Sequence, residues 1–422
     1  MEPTLRPPFA RPSADDPYLR ALSERVIIFD GATGTNLQLQ HLSADDFGGA
    51  ALEGCNEILS ITRPDVVESL HRSFFDVGVD AVETDSFGTF SVVLAEYGIA
   101  ERTHELALAS AQIARRVADG YASTHEPKFV AGSMGPGTKF PTLGQITYDN
   151  LSASYEELAY GLLEGGVDLL LVETMFDLLS GKAAIAACHR AMARHGRIVP
   201  IQVQVTIELT GRMLPGTEIG AAVAALSPLG IDIIGLNCAT GPVEMYEPLR
   251  TLSDSAPMPL SCMPNAGLPS VVEGKMHYDL TPDALAEHLA KFVTECGVQV
   301  IGGCCGTTPE HLARVIETVR PLVAAIRSPV VEHAVASIYS PVSYQQDRSV
   351  LLVGERTNAN GSKKFRDAML EGDWDTCVEI GREQIKEGAH VLDVCVDYTG
   401  ADGVADMNEL MSRLSTQSSV PV

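Results

Sequence analysis

Short, nearly continuous apolar runs recur along most of the chain, and they alternate with helical patterns. Runs of this kind are typical of parallel strands that are buried on both faces. The pattern predicts eight strands, at residues 26–30, 81–85, 129–133, 169–173, 201–206, 231–237, 259–263 and 299–303. Helices are predicted at residues 63–77, 101–120, 154–163, 178–195, 283–296 and 307–322, and several of them end at glycine.

The alternation of strands and helices indicates the fold class. Eight strands that alternate with helices within about 310 residues favour a closed (β/α)8 barrel, the TIM barrel. An open, doubly wound sheet is the alternative architecture for the same α/β alternation. In a barrel of this kind, functional side chains are expected where the strands end.

A second domain is predicted to begin near the end of the chain. Residues 326–347 lack clear periodicity and are interpreted as a linker. New strands at residues 350–354 and 390–394 flank a helix at 374–387, which is too little to close a barrel. The expected domains are a flexible N-terminal segment at 1–19, a barrel at 20–325, the linker, and at 348–422 the truncated beginning of a second (β/α) barrel.

Composition and charge exclude several classes of partner. Hydrophobic residues make up 45% and charged residues 20% of the 422 residues, which is ordinary for a soluble protein. The chain has 30 Lys and Arg residues and 55 Asp and Glu residues, so its formal net charge is −25. This charge repels nucleic acid phosphates and anionic lipids. No apolar run reaches the ~18 residues of a membrane helix, and no signal-peptide core begins the chain. A cytoplasmic protein without nucleic acid or membrane partners is therefore expected.

Three of the nine cysteines are predicted to meet at one end of the barrel. Cys238 follows the sixth predicted strand, and Cys304 and Cys305 follow the eighth. Three thiolates at an open face match a catalytic zinc site, in which the fourth position is left for substrate. Incidental burial of the cysteines and a redox disulfide are the alternatives.

Several motifs resemble one known family. They are Asp-Gly-Ala-Thr-Gly-Thr at 30–35, Glu-Thr-Asp-Ser-Phe-Gly at 83–88, Val-Glu-Thr at 172–174, Gly-Leu-Asn-Cys at 235–238, Pro-Asn-Ala-Gly-Leu-Pro at 264–269 and Gly-Gly-Cys-Cys-Gly at 302–306. Together they resemble the homocysteine-binding barrel of zinc-dependent homocysteine S-methyltransferases, over residues 20–323. One departure is Asp85-Ser86, where the family more often has Asn-Thr after Glu-Thr.

A further motif resembles a second barrel. The segment 353–362, Val-Gly-Glu-Arg-Thr-Asn-Ala-Asn-Gly-Ser, is similar to the opening of the pterin-binding barrel in the cobalamin-dependent methionine synthase family. A homocysteine-binding barrel followed by the start of a pterin-binding barrel, in this order, resembles the cobalamin-dependent methionine synthase family. The resemblance implies transfer of a methyl group to homocysteine at Zn²⁺, with methylcobalamin as immediate donor and 5-methyltetrahydrofolate as its source. A cobalamin-binding module is then expected beyond residue 422.

The resemblance also implies roles for particular residues. Asp30 and Glu173 would hold the α-ammonium group of homocysteine, and the backbone turn that begins at Gly31 would hold its carboxylate. Asn265 would occupy the fourth position on zinc when homocysteine is absent. The alternatives are a turn residue for Asp30, a buried structural carboxylate for Glu173 and an Asx-turn for Asn265. Glu355, Asn358 and Asp393 would form part of a folate site, or are ordinary polar residues at strand ends.

Two other functions fit part of the pattern. A zinc-dependent methyltransferase that takes its methyl group from betaine or S-methylmethionine would resemble residues 20–323, but it would lack the segment that begins at Val350. A non-enzymatic barrel that stores zinc, or senses redox state through a Cys304–Cys305 or Cys238–Cys304 disulfide, would need only the cysteines.

Overall fold

The eight predicted strands are all present and form one parallel sheet. The computed structural model describes residues 9–123, 126–272 and 275–422. The strands of this sheet are β1 (Ile27–Ile28), β2 (Ala81–Glu83), β3 (Phe129–Met134), β4 (Leu169–Met175), β5 (Ile201–Val205), β6 (Ile233–Asn237), β7 (Leu260–Met263) and β10 (Val300–Ile301). Their hydrogen-bonded order around the sheet is β1-β10-β7-β6-β5-β4-β3-β2. A hairpin of β8 (Pro269–Val272) and β9 (Lys275–Tyr278) lies between β7 and β10 in the chain.

Hydrogen bonds between the two edge strands close the sheet into a barrel. The backbone N–H of Asp30 donates to the carbonyl oxygen of Ala81 at 3.1 Å, and the N–H of Asp80 donates to that of Ile28 at 2.7 Å. Phe29 and Ala81 form a parallel bridge at the same place. The predicted (β/α)8 barrel is therefore confirmed, and the open, doubly wound alternative is wrong.

Helices surround the barrel as the alternation predicts. Helix α4 (Pro64–Val77) begins at a proline and is capped by Gly78, whose φ of 101° is the left-handed conformation that glycine adopts freely. No helix in the described part of the chain is both long and apolar enough to cross a membrane. The helices are α1 (Pro17–Glu24), α2 (Thr33–Gln38), α3 (Leu59–Thr62), α4 (Pro64–Val77), α5 (Ser91–Leu94), α6 (Thr103–Tyr121), α7 (Tyr148–Glu164), α8 (Leu178–His195), α9 (Ile219–Leu226), α10 (Pro242–Ser255), α11 (Pro282–Cys296) and α12 (Pro309–Val319).

Helix α1 closes the amino-terminal end of the barrel. Tyr18 of this helix is 1% exposed, and its hydroxyl lies 3.1 Å from the Gln202 side chain inside the barrel. Its ring contacts Phe29 and Phe129, which fill the interior together with other inward-facing apolar side chains. The predicted boundary at residue 20 falls inside α1, and residues 1–8 of the predicted flexible segment lie outside the described residues. The open end of the barrel is the opposite one, where the strands end.

Gly235 on β6 permits a close approach of the neighbouring strand. A Cβ atom at Gly235 would overlap the backbone carbonyl and the hydroxyl of Ser261 on β7. We therefore expect Gly235→Ala to lower the free energy of unfolding by about 3 kcal/mol or more, because neither strand can move away inside a packed barrel. Urea unfolding measures the loss. Gly120→Ala is the matched control, since a Cβ at Gly120 in α6 meets nothing within 4 Å. An unchanged urea midpoint for Gly235→Ala would contradict the close approach of β7 to β6 at this residue.

The rest of the chain forms two further small sheets. Residues predicted as a linker contain a hairpin of β11 (Ala334–Ala336) and β12 (Pro341–Ser343). After it, the parallel strands β13 (Val353–Asn358) and β14 (Val391–Cys395) pair with each other. The helices of this part are α13 (Lys363–Glu371), α14 (Trp374–Lys386) and α15 (Gly403–Gln417), and their apolar faces share a core with the two strands.

Candidate metal centre

The structure brings Cys238, Cys304 and Cys305 together at the open end of the barrel. Their sulfur atoms all lie within 4.8 Å of one another, and those of Cys238 and Cys305 are 3.9 Å apart. All three side chains are partly buried. No other group of three metal-ligating His, Cys, Asp or Glu side chains converges in this way among the described residues.

The spacing of the sulfur atoms fits a zinc ion. Tetrahedral zinc with Zn–S bonds of about 2.3 Å holds its sulfur ligands about 3.8 Å apart. The loops that carry the cysteines are joined by backbone hydrogen bonds: Cys238 donates to Met263 at 3.2 Å, and Cys304 donates to Pro264 at 2.9 Å. Cys238 also has a φ of 59°, a conformation that is uncommon for a non-glycine residue. These contacts hold the three sulfur atoms in place through the backbone.

The cysteine cluster favours negative charge on one of its sulfur atoms. Hydrogen bonds from Cys238, and then from Cys304, lower the pKa of Cys305 to about 3. The Tyr278 ring packs against Gly306, the residue after Cys305. Tyr278 lies on β9, between the predicted strand at 259–263 and the predicted helix at 283–296, so neither the strand pair nor this packing was predicted. A thiolate in this position is the form that binds a metal ion.

Asn265 lies in the loop between β7 and β8, close to the cysteine loops. Its backbone N–H donates to Thr240, and the next residue, Ala266, donates to the carbonyl oxygen of Cys305 at 2.9 Å. The Asn265 side chain is 2% exposed, and its Oδ1 atom has no hydrogen-bond partner among the described residues. An Asx-turn would occupy that oxygen, so this alternative is wrong. A buried oxygen without a partner is an acceptor that a metal ion or a substrate can use.

Three carboxylates lie at the same end of the barrel. Asp30 follows β1, Glu83 ends β2, and Glu173 lies two residues before the end of β4. Asp30 and Glu173 are 2% and 4% exposed, and Glu83 is half-buried. Burial raises the pKa of Glu173 to about 7. Burial, together with repulsion from the other carboxylates, raises the pKa of Asp30 and of Glu83 well above the ordinary range. Carboxyl groups that are shielded from water and repel one another favour the binding of a cationic group.

Glu83 was not predicted as a site residue, although it belongs to a motif that the sequence analysis quotes. The predicted strand at 81–85 places Glu83 in its middle, whereas β2 ends at Glu83, so its position at the end of a strand could not be read from the prediction. The backbone N–H of Glu83 donates to both carboxylate oxygens of Asp30, at 3.1 and 3.2 Å. The two residues therefore occupy adjacent strands and fix each other's position.

The turn that begins at Gly31 is packed tightly against the loop after β10. A Cβ atom at Gly31 would lie 2.5 Å from the hydroxyl oxygen of Thr307, so only glycine fits there. The N–H of Ala32 donates to Thr307 and is therefore not free to bind a substrate carboxylate. Any carboxylate at this turn must use the neighbouring N–H groups.

Asp85, the departure from the family pattern, is buried at 4% exposure. Burial, and repulsion from Glu57, raise its pKa well above the usual value. Its Oδ2 atom has no hydrogen-bond partner in the described part of the chain. Asp85 therefore presents a buried carboxyl oxygen without a partner among the described residues, at a position where the family pattern has an amide.

The residues predicted to bind folate lie on β13 and β14. Asn358 and Asp393 are adjacent across the strand pair, with the Asn358 amide 3.5 Å from the Asp393 carboxylate. Glu355 is exposed on β13. The structure therefore places Asn358 and Asp393 together, and Glu355 on one of the same two strands.

Comparison with known proteins identifies two family matches. The model of the family described as Homocysteine S-methyltransferase matches residues 27–319, and that described as Pterin binding enzyme matches residues 354–422. Methionine synthases from Mycobacterium tuberculosis and Mycobacterium leprae are 52% and 50% identical to this chain over 97% of its length. The chain covers 34% of each, so it spans about a third of the length of these curated relatives.

Solved structures show the same fold for the barrel. The oxidized form of a homocysteine methyltransferase from Escherichia coli superimposes with a TM-score of 0.58 at 22% identity, over 71% of this chain and 98% of that chain. Its metallated form gives the same TM-score over 70% of this chain. The family match extends over well more than half of the 422 residues. The chain therefore belongs to the homocysteine S-methyltransferase family.

Proposed function

We propose that the barrel binds homocysteine and methylates its thiol to form methionine. One observation carries the proposal: a cluster of three cysteine sulfurs and a group of three carboxylates, of which Asp30 and Glu173 are buried and Glu83 is half-buried, lie at the same end of one barrel. Homocysteine carries a thiol at one end and an α-ammonium group at the other. A substrate with both groups matches both clusters.

Cys238, Cys304 and Cys305 would hold the zinc ion. When bound, zinc supplies a Lewis acid that lowers the pKa of a thiol and so provides a nucleophile at neutral pH. Asp30, Glu83 and Glu173 would take the ammonium group, whose positive charge would favour their ionised forms and so offset the burial and repulsion that raise their pKa values. The substrate sulfur then attacks the methyl carbon in line, and the bond between that carbon and the donor breaks with its electron pair staying on the donor.

The donor is proposed from the second family match. Methylcobalamin would be the immediate donor and 5-methyltetrahydrofolate its source, in a protein longer than this chain that also carries a cobalamin-binding module. The match of residues 354–422 to pterin-binding enzymes supports this over betaine or S-methylmethionine as donor. Glu355, Asn358 and Asp393 would contribute to the folate site. We propose that residues 20–325 form the domain that binds homocysteine and that residues 348–422 belong to the domain that binds folate.

Zinc X-ray absorption tests the proposal directly. The zinc-loaded chain is expected to show three sulfur ligands, and a fourth when homocysteine is added, because the substrate thiol takes the open position. Methyl transfer is then measured with free methylcobalamin, betaine and S-methylmethionine in parallel. Transfer is expected from methylcobalamin alone, and slowly, since the donor is not held in place.

Two outcomes would contradict the proposal. An unchanged sulfur count on adding homocysteine would mean that the substrate thiol does not reach the metal. Transfer from betaine or S-methylmethionine would place this chain with methyltransferases that use those donors. Homoserine, which has a hydroxyl in place of the thiol, is the control ligand and is expected to leave the sulfur count at three.

A further inference from the structure

Thr174, at the end of β4, has a backbone conformation that its side chain does not favour. Its φ is 57°, and a β-branched residue rarely adopts a positive φ. The pairing of β4 with β5 shifts its register between Val172 and Met175, so the strand bulges at this residue. The residue before Thr174 is Glu173, one of the three carboxylates. The bulge therefore lies where the ammonium site is proposed.

The side chain of Asn237 spans this bulge from β6, two strands away. Its Oδ1 accepts the backbone N–H of Thr174 at 2.8 Å, and its Nδ2 donates to the Thr174 hydroxyl at 2.8 Å. The same Nδ2 donates to Glu173 Oε2 at 3.1 Å. Asn237 is 1% exposed, so these three bonds are made away from water. An amide side chain offers one acceptor and two donors, and all are used here.

The second oxygen of Glu173 is held from the other side. The Ser133 hydroxyl on β3 donates to Glu173 Oε1 at 2.5 Å. The carboxylate is thus fixed by one donor from β3 and one from β6, and its plane cannot rotate freely. Aspartate at position 237 would provide no donor and would add a fourth carboxylate to the cluster, so the amide is required.

We propose that Asn237 is a positioning residue that orients Glu173 toward the ammonium group of the substrate. This inference rests on the proposed binding of homocysteine. Asn237 does not touch the substrate in this arrangement. It stabilises the bulge at Thr174 and fixes the direction of the Glu173 carboxylate, while the adjacent Cys238 contributes to the metal centre.

The test compares two ligands that differ in one group. 4-Mercaptobutanoate has the thiol and carboxylate of homocysteine but lacks its α-ammonium group. Binding of each is measured by calorimetry on the zinc-loaded 422-residue chain. Asn237→Ala is expected to weaken homocysteine binding about tenfold or more and to leave 4-mercaptobutanoate binding nearly unchanged. Ser133→Ala removes the other hydrogen bond to Glu173. It is expected to reduce the preference for homocysteine over 4-mercaptobutanoate as well, but to a smaller extent.

Equal weakening of both ligands by Asn237→Ala would overturn the inference, because the residue would then support the metal centre or the fold. An unchanged preference in both variants would overturn it too. If Asn237→Ala does not fold, the substitution is made together with Thr174→Gly, since glycine adopts the positive φ without support. Failure of the original chain to bind either thiol would contradict the proposed function instead.

Discussion

Alanine at Cys304 is expected to lower zinc affinity more than 100-fold and to abolish methyl transfer to homocysteine. Loss of a group that only orients a ligand costs about 10–100-fold in metal affinity, and loss of the ligand itself costs more. Two sulfur atoms remain in Cys304→Ala, which cannot supply the three protein ligands of a catalytic zinc site. Chelator competition measures the affinity, and methylcobalamin consumption measures the transfer. Cys238→Ala and Cys305→Ala are expected to behave alike.

Cys395→Ala is the matched control for these variants. Cys395 is also a partly buried free cysteine, but it lies on β14 in the second part of the chain. It is expected to retain both zinc and methyl transfer. Circular dichroism checks that each variant is folded. If an alanine variant of Cys238, Cys304 or Cys305 keeps full zinc affinity and activity, that cysteine is not a zinc ligand.

Glutamine at Glu173 is expected to weaken homocysteine binding by at least about 30-fold. The substitution keeps the shape of the side chain and removes the charge that would pair with the ammonium group, and losing one partner of a buried charge pair costs about 2–5 kcal/mol. Calorimetry with homocysteine and 4-mercaptobutanoate separates this loss from any effect on the thiol end. Glu287→Gln, an exposed position on α11, is the control and is expected to bind homocysteine normally. Unchanged affinity in Glu173→Gln would exclude an ion pair at this residue.

The same substitution is expected to stabilise the protein without ligand, and only at higher pH. Burial raises the pKa of Glu173 to about 7, above the value of about 4.3 in an unfolded chain. Between those values the folded protein holds the proton more tightly, so its free energy of unfolding falls as the pH rises, and the loss is complete above pH 7. Glutamine does not titrate, so Glu173→Gln avoids the loss. Urea unfolding is expected to show a gain of up to about 3 kcal/mol at pH 8 and none near pH 4.

The barrel and the cysteine cluster could be predicted because each depends on a short-range pattern. Buried parallel strands give continuous apolar runs, and parallel strands all end on the same side of the sheet. Cys238 and Cys304 therefore had to be close in space once the strands before them were identified. The same reasoning located Asp30 and Glu173.

The residues that were missed act through side chains that cross between elements. Asn237 contacts Glu173 across two strands, and Tyr278 packs against Gly306, beside Cys305, because it lies on β9, which pairs with β8. Neither contact leaves a periodic signal in the sequence. Helix α1 was also missed, since its role depends on Tyr18 reaching the inside of a barrel that is built from later residues.

Helix α1 has a consequence for the order of events in the proposed reaction. Because this helix and the aromatic side chains beneath it fill the amino-terminal end of the barrel, ligands would reach the cysteines and carboxylates from the opposite end, where the strands finish. In the proposed reaction, a methyl donor as large as a corrinoid would cover that end while the methyl group passes. Homocysteine would then bind before the donor arrives, and methionine would leave after the donor has withdrawn. Each turnover then includes one arrival and one departure of the donor, and these movements can limit the overall rate.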